Sequence, residues 1–160
     1  MPLAMRQSIS GGLKKGHALL ALLIMVLIVV PLAANSGELQ VANLGDCKLE
    51  SGEQITNCLV TYRVFGKRNT DESNIVLMPT WVNGSSQALA DSNYLGPLGI
   101  VDTDHYQVIA IDALGNGLSS SPSNQAQGAF PVVSIRDLVS SQHRLFTEHL
   151  GPRRIHAVVR

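Results

Sequence analysis

The residues most able to do chemistry stand where an apolar run, Val108-Ile109-Ala110-Ile111, ends in Asp112 and opens into Ala113-Leu114-Gly115-Asn116-Gly117-Leu118-Ser119. This is a strand leading into a D-x-x-G-x-G-x-S loop. Closely spaced glycines after a strand let backbone N–H groups approach a phosphate at a helix N-terminus. The loop does not suit that chemistry. Ser120 stands where a third glycine is needed, Ser121-Pro122-Ser123-Asn124 prevents an immediate helix, and the acid precedes the glycines instead of following them at ribose distance. No nucleotide, and no other cofactor, is expected.

Serine-based acyl chemistry needs a nucleophile on a sharp strand-to-helix turn, G-x-S-x-G, supported by a histidine and a carboxylate. No such turn occurs in the sequence. Gly84-Ser85-Ser86-Gln87-Ala88 lacks the second glycine, and Gly117-Leu118-Ser119-Ser120-Ser121 belongs to the glycine-serine loop. Metal ligation has no better support. Asp102 and Asp104 read as solvated acids in a turn, His143 and His149 are six residues apart and do not share a helix face, and His156 reads as a core-edge histidine in a strand. Cys47 and Cys58 lack a CxxC spacing or a histidine pair, so no metal is expected there. They flank a hairpin turn over residues 49–55. Pairing Glu50 with Ile55 and Lys48 with Asn57 sets the two cysteines opposite each other at disulfide distance, the alternative being two free thiols.

The elements that must position these groups follow from period and punctuation. Residues 59–66 alternate and close on Gly66, a strand; residues 74–78 form a short continuous apolar run, a strand buried on both faces and ended by Pro79. Residues 80–93 read as a loop, and residues 106–112 as the next strand. Ser134-Ile135-Arg136-Asp137 resembles a capping box, and Ile135, Leu138, Val139, Leu145 and Phe146 recur at helical spacing until Gly151 and Pro152. This predicts one amphipathic helix of about four turns. Residues 155–159 then read as a further buried strand. The order predicts an α/β sheet that opens with an antiparallel hairpin and continues parallel, with a helix.

Composition sets the compartment and the partners. With 160 residues, 12 Lys+Arg and 12 Asp+Glu, the chain has a formal net charge of zero, so no basic field is available to hold a nucleic acid. The charge is unevenly placed: Arg6, Lys14 and Lys15 precede an apolar stretch over residues 18–34, and small residues follow. That is the layout of a secretory signal, cleaved after Ala34 or Ser36, or of an uncleaved N-terminal anchor. Residues 1–36 are expected to be this leader, and residues 37–160 an exported domain, periplasmic or secreted. A membrane partner is expected only through an uncleaved leader. Asn83-Gly84-Ser85 is a glycosylation sequon, read as unmodified.

The hairpin Leu49-Glu50-Ser51-Gly52, then Tyr62-Arg63-Val64-Phe65-Gly66, Ser73-Asn74-Ile75-Val76-Leu77, the stretch from Gly99 to Ile109, and Phe130-Pro131-Val132-Val133-Ser134-Ile135-Arg136-Asp137 resemble, in order and spacing, the homoserine O-acetyltransferase branch of the α/β-hydrolase superfamily. The resemblance spans residues 47–159 and implies the N-terminal part of an α/β-hydrolase sheet. It also implies a serine acyl hydrolase or acyltransferase with a small-molecule acyl ester or acyl donor as substrate. The nucleophile is expected just after Val159, so no catalytic serine, acid or histidine is expected in these 160 residues, and the chain by itself is expected to be inactive. Carried over by position, the oxyanion hole falls on the backbone of Val82 or its neighbour Trp81, and Gly115, Asn116 and Gly117 fall at the active-site mouth. Thr80 stands where the acetyltransferases usually carry a histidine, which puts homoserine as acceptor in question. The competing class is a non-catalytic truncated or binding protein with half of the hydrolase sheet.

Overall fold

A computed structural model describes residues 37–125, 130–151 and 154–160. The expected leader, residues 1–36, lies outside the described residues. Among the described residues no helix is long and apolar enough to cross a membrane.

A five-stranded mixed sheet has the order β1 (Gln40–Asn43), β4 (Leu59–Phe65), β6 (Gln107–Ile111), β5 (Ile75–Pro79), β7 (Ile155–Val158). β4 runs antiparallel to both β1 and β6, whereas β5 is parallel to β6 and to β7. The antiparallel hairpin of β2 (Cys47–Lys48) and β3 (Gln54–Ile55) forms a separate two-stranded sheet, so it does not open the main one. That role belongs to β1, whose residues Gln-Val-Ala-Asn are too polar and too few to announce a strand; only Ala42 is buried.

Alternation along the central strands divides the core. Ile75 and Leu77 of β5 and Ile109 and Ile111 of β6 face one side with Tyr62, Leu145 and Phe146; Val76, Met78, Val108 and Ala110 face the other with Leu89. Both faces of β5 are therefore covered, which is why its sequence is continuously apolar. Leu89 comes from α1 (Ser86–Asp91), a short helix inside the stretch read as a loop. Its signal was a single N-cap: the Ser85 hydroxyl accepts the Ala88 N–H at 3.1 Å.

The longer helix, α2 (Ile135–Arg144), starts with a complete capping box between Ser134 and Asp137. It does not continue as α-helix for four turns. From Leu145 to His149 the chain is π-helical, and Leu150 N–H donates to Leu145 O, five residues back. Hydroxyls of Ser141 and Thr147 bond back to the carbonyls of Leu138 and His143, the kind of competition that slackens a helix. Leu145 and Phe146 are buried, while Ile135 and Val139, counted in the apolar row, are exposed.

Cys47 and Cys58 are joined with their Cα atoms 5.7 Å apart, but in a different register from the one expected. Cys47 pairs with Ile55 and Lys48 with Gln54. Asn57, at φ 51°, turns the chain away, and Cys58 docks on the end of β1 by exchanging bonds with Leu44 and Gly45. The strand over 155–158 is likewise not buried: Ile155 and Val158 are exposed, because among the described residues β7 is paired only with β5.

Both ends of α2 grip the disulfide hairpin. At its start, Asp137 Oδ1 accepts Glu50 N–H at 2.9 Å and Oδ2 accepts Ser134 N–H at 2.8 Å. At its end, Arg144 donates to the carbonyls of Leu44 and Asp46 and to Cys47 Sγ. Burial alone would raise the Asp137 carboxyl, but the N–H donors of Ser134 and Glu50, with the Ser134 hydroxyl nearby, outweigh it and hold the group below its ordinary value. Asp137→Asn is expected to lower the unfolding free energy by about 1–2 kcal/mol at pH 7 in urea titration. A depressed folded-state value means that this stabilisation is complete above the unfolded carboxyl value of about 3.9, and is lost as pH falls through the lower folded value. The difference between parent and variant should therefore be flat from pH 7 to about 5 and shrink below about 4. Reducing the disulfide is expected to cost about 2–3 kcal/mol in the same titration.

Candidate functional site

Because Pro79 and Ile111 end adjacent parallel strands in register, the loops that follow them leave the same end of the sheet side by side. They are fastened at once. Thr80 N–H donates to Ile111 O at 2.9 Å, and Ala113 N–H donates to the Thr80 hydroxyl at 3.1 Å. Thr80 is buried and committed to this brace.

Between the two loops lies the Asp112 carboxylate, 1 % exposed. A charge in that position is tolerated only when donors surround it. Ser86 supplies two, its N–H to Oδ1 at 2.7 Å and its hydroxyl to Oδ2 at 2.9 Å; the Thr61 hydroxyl reaches Oδ2 at 2.9 Å, and Asn116 Nδ2 lies 3.4 Å from Oδ1. The donors come from the first turn of α1, from β4 and from the glycine loop. Asn116 Nδ2 also donates to Gly84 O, and Asn116 Oδ1 accepts the N–H groups of Leu118 and Ser119. The Ser119 and Ser120 side chains accept the N–H groups of Thr61 and Leu59, so the loop replaces a strand neighbour for β4 beyond the end of β6.

The turn held by this assembly runs from Trp81 to Gly84, with Gly84 N–H donating to Trp81 O at 2.9 Å. A Cβ on Gly84 would come within 2.4 Å of the Trp81 ring, so a side chain there would displace the half-exposed indole. The Trp81 and Val82 N–H groups make no hydrogen bond among the described residues. Both side chains are about half exposed. Of the residues expected at an active-site mouth, Gly115 borders an open cleft with Val82, Asn116 ties Asp112 to Gly84, and Gly117, at φ 93°, turns the loop and accepts from Asn124.

Comparison with known proteins gives this geometry a context. No family model matches the chain. Over 129 residues it is 40% identical to an ethyl acetate hydrolase of Pseudomonas veronii, a match covering 78% of the chain and 37% of that protein. Over 142 residues it is 34% identical to a homoserine O-acetyltransferase of Corynebacterium glutamicum, covering 81% and 37%. A solved acetylester hydrolase from Corynebacterium glutamicum superposes with a TM-score of 0.69 at 37% identity, over 75% of this chain and 36% of that one. The chain belongs to the α/β-hydrolase superfamily, in the homoserine O-acetyltransferase-like branch. It spans little more than a third of the length of these relatives.

Within this α/β-hydrolase sheet, the loop serines are committed to internal hydrogen bonds. Ser86, Ser119, Ser120 and Ser121 are fully buried, and no serine hydroxyl is hydrogen-bonded to a histidine among the described residues. Asp102 is bonded to Asp104 N–H and, at 2.7 Å, to His105 Nδ1; the Asp104 bond first and the His105 bond second hold its carboxyl below the ordinary value. Among the described residues no group of three or more His, Cys, Asp or Glu side chains is placed to hold a metal.

Sequence reasoning did not assign Asp112, Thr61 and Ser86 to the site, though one signal was present. An acid between Ile111 and Ala113-Leu114, inside an otherwise apolar run, must be buried, and a buried carboxylate needs donors from other elements. Asp112→Asn is expected to lower stability by at least about 2 kcal/mol, since it turns an acceptor of charged hydrogen bonds into a donor facing donors. It should also lower the fluorescence anisotropy of Trp81, the sole tryptophan, by freeing its loop. Gly84→Ala should change the Trp81 near-ultraviolet circular dichroism with a much smaller loss of stability.

Proposed function

We propose that the chain supplies the oxyanion-binding part of an α/β-hydrolase-fold serine acyl hydrolase or acyltransferase. The observation that carries this is the pair of unpaired backbone N–H groups at Trp81 and Val82, fixed beside the Asp112 assembly at the C-terminal end of β5. An oxyanion hole works when its donors are already in place where charge develops on the carbonyl oxygen, so that no reorganisation accompanies the reaction. A backbone fastened at Thr80, Gly84 and Ser86 meets that requirement. In this reading the nucleophile stands on a turn directly after β7, and the 160 residues alone turn over nothing. The resemblance of residues 1–36 to a leader supports an exported protein, which separates it from cytoplasmic homoserine acetylation. Thr80 in place of a histidine favours hydrolysis of a simple ester over transfer to homoserine.

The test is a chimera in which residues 37–160 replace the matching segment of the Pseudomonas veronii ethyl acetate hydrolase. It is expected to hydrolyse ethyl acetate and to lose that activity on labelling with a serine-directed phosphonate. Val82→Pro, which deletes the N–H, is expected to lower kcat by about 10²- to 10³-fold with little change in KM. Turnover that survives the phosphonate, or activity from the 160-residue chain itself, contradicts the reading.

A further inference from the structure

The cleft that begins at Val82 has a composition that selects its occupant. It is an open cleft of about 250 Å³ lined by Val82 and Leu114 from the loops after β5 and β6 and by Phe130, Pro131, Val133 and Leu138 from the segment that leads into α2 and its first turn. Gly115, Pro122 and Ile135 complete the lining, so no lining side chain carries a charge or a hydrogen-bonding group. The volume is below the range of about 300–1,000 Å³ that drug-sized ligands occupy. A zwitterionic hydroxy amino acid placed there would bury an ammonium and a carboxylate against hydrocarbon without partners, whereas a short alkyl group loses only its contact with water.

We infer that this cleft is a subsite for the short, uncharged alkyl part of an ester, with Val82, Leu114 and Val133 setting its length and polarity, and that it rejects homoserine. The inference rests on the oxyanion reading for the nature of the ligand: Val82 is shared, its N–H available to the carbonyl and its side chain to the wall. The polar end of the ester then lies at the backbone donors, and the hydrocarbon runs toward Phe130 and Leu138. The segment before α2 forms the far wall, and Ile135, 66% exposed, stands at its rim.

Binding is measurable without catalysis, on the full 160-residue chain, with n-butyl acetate as the probe. Titration followed by NMR is expected to give saturable shifts in the Val82 N–H and in the methyl groups of Leu114, Val133 and Leu138. Homoserine at the same concentrations should move none of them. Val133→Trp, which fills the cleft, is expected to weaken butyl acetate at least tenfold. Ile135→Asp places a carboxylate at the rim, at the first position of a helix where an acid is welcome, and should weaken it at least threefold while leaving the fold intact. The proposal is overturned by equal or stronger shifts with homoserine, by no saturable shift with the ester, or by Ile135→Asp binding like the parent. An active chimera with no ester binding sinks this inference and spares the catalytic reading; ester binding with an inactive chimera does the reverse.

Discussion

A carboxylate cannot be taken out of water at the end of a β-sheet unless the surrounding chain is arranged to meet it, and Asp112 imposes that condition on three separate elements. Four donors from Ser86, Thr61 and Asn116 converge on it. The first turn of α1 must start where Ser86 reaches both oxygens, which fixes the length of the loop before it. The glycine loop must fold back so that Asn116 touches both the carboxylate and Gly84 O. The position of the Trp81–Gly84 turn is a consequence of these requirements, more than of any contact made by Trp81 or Val82 themselves.

A second clamp works on the opposite face of the sheet. The hairpin that carries the disulfide is too short to hold a core residue by itself, with two residues in each strand. It buries Cys47, Leu49 and Ile55 because α2 holds it at both ends, through Asp137 and Glu50 at one and through Arg144 at the other. Exposed pairs such as Arg136 with Glu50 contribute little to this; the bonds to backbone groups carry it.

What the sequence disclosed depended on how local the cause was. The buried run in β5 and the Ser134–Asp137 cap are written within a few residues, and both were legible. The superfamily could be recognised because several motifs keep their order. β1 was not legible, since a mostly exposed strand earns its place only by pairing with β4. Neither was α1, where a single serine cap and one buried leucine sit among small residues. The hairpin register depended on the left-handed turn at Asn57, and the π-helical segment on how Leu145 and Phe146 pack under the sheet. The expected oxyanion residues, Trp81 and Val82, came from position in a family pattern. The physical reason that they are held in place, a network spanning residues 61 to 116, has no short-range signature.

The two walls of the cleft differ in how they are attached. Val82, Leu114 and Gly115 belong to loops fastened through Thr80, Asn116 and Asp112. Residues 130–133 make no hydrogen bond to that assembly among the described residues, and they lead directly into the independently capped start of α2. An insertion or substitution in the first wall disturbs the buried carboxylate; one in the second does not. Residues 130–133 can therefore be exchanged without touching the donors that hold Asp112, whereas the loops of the first wall cannot.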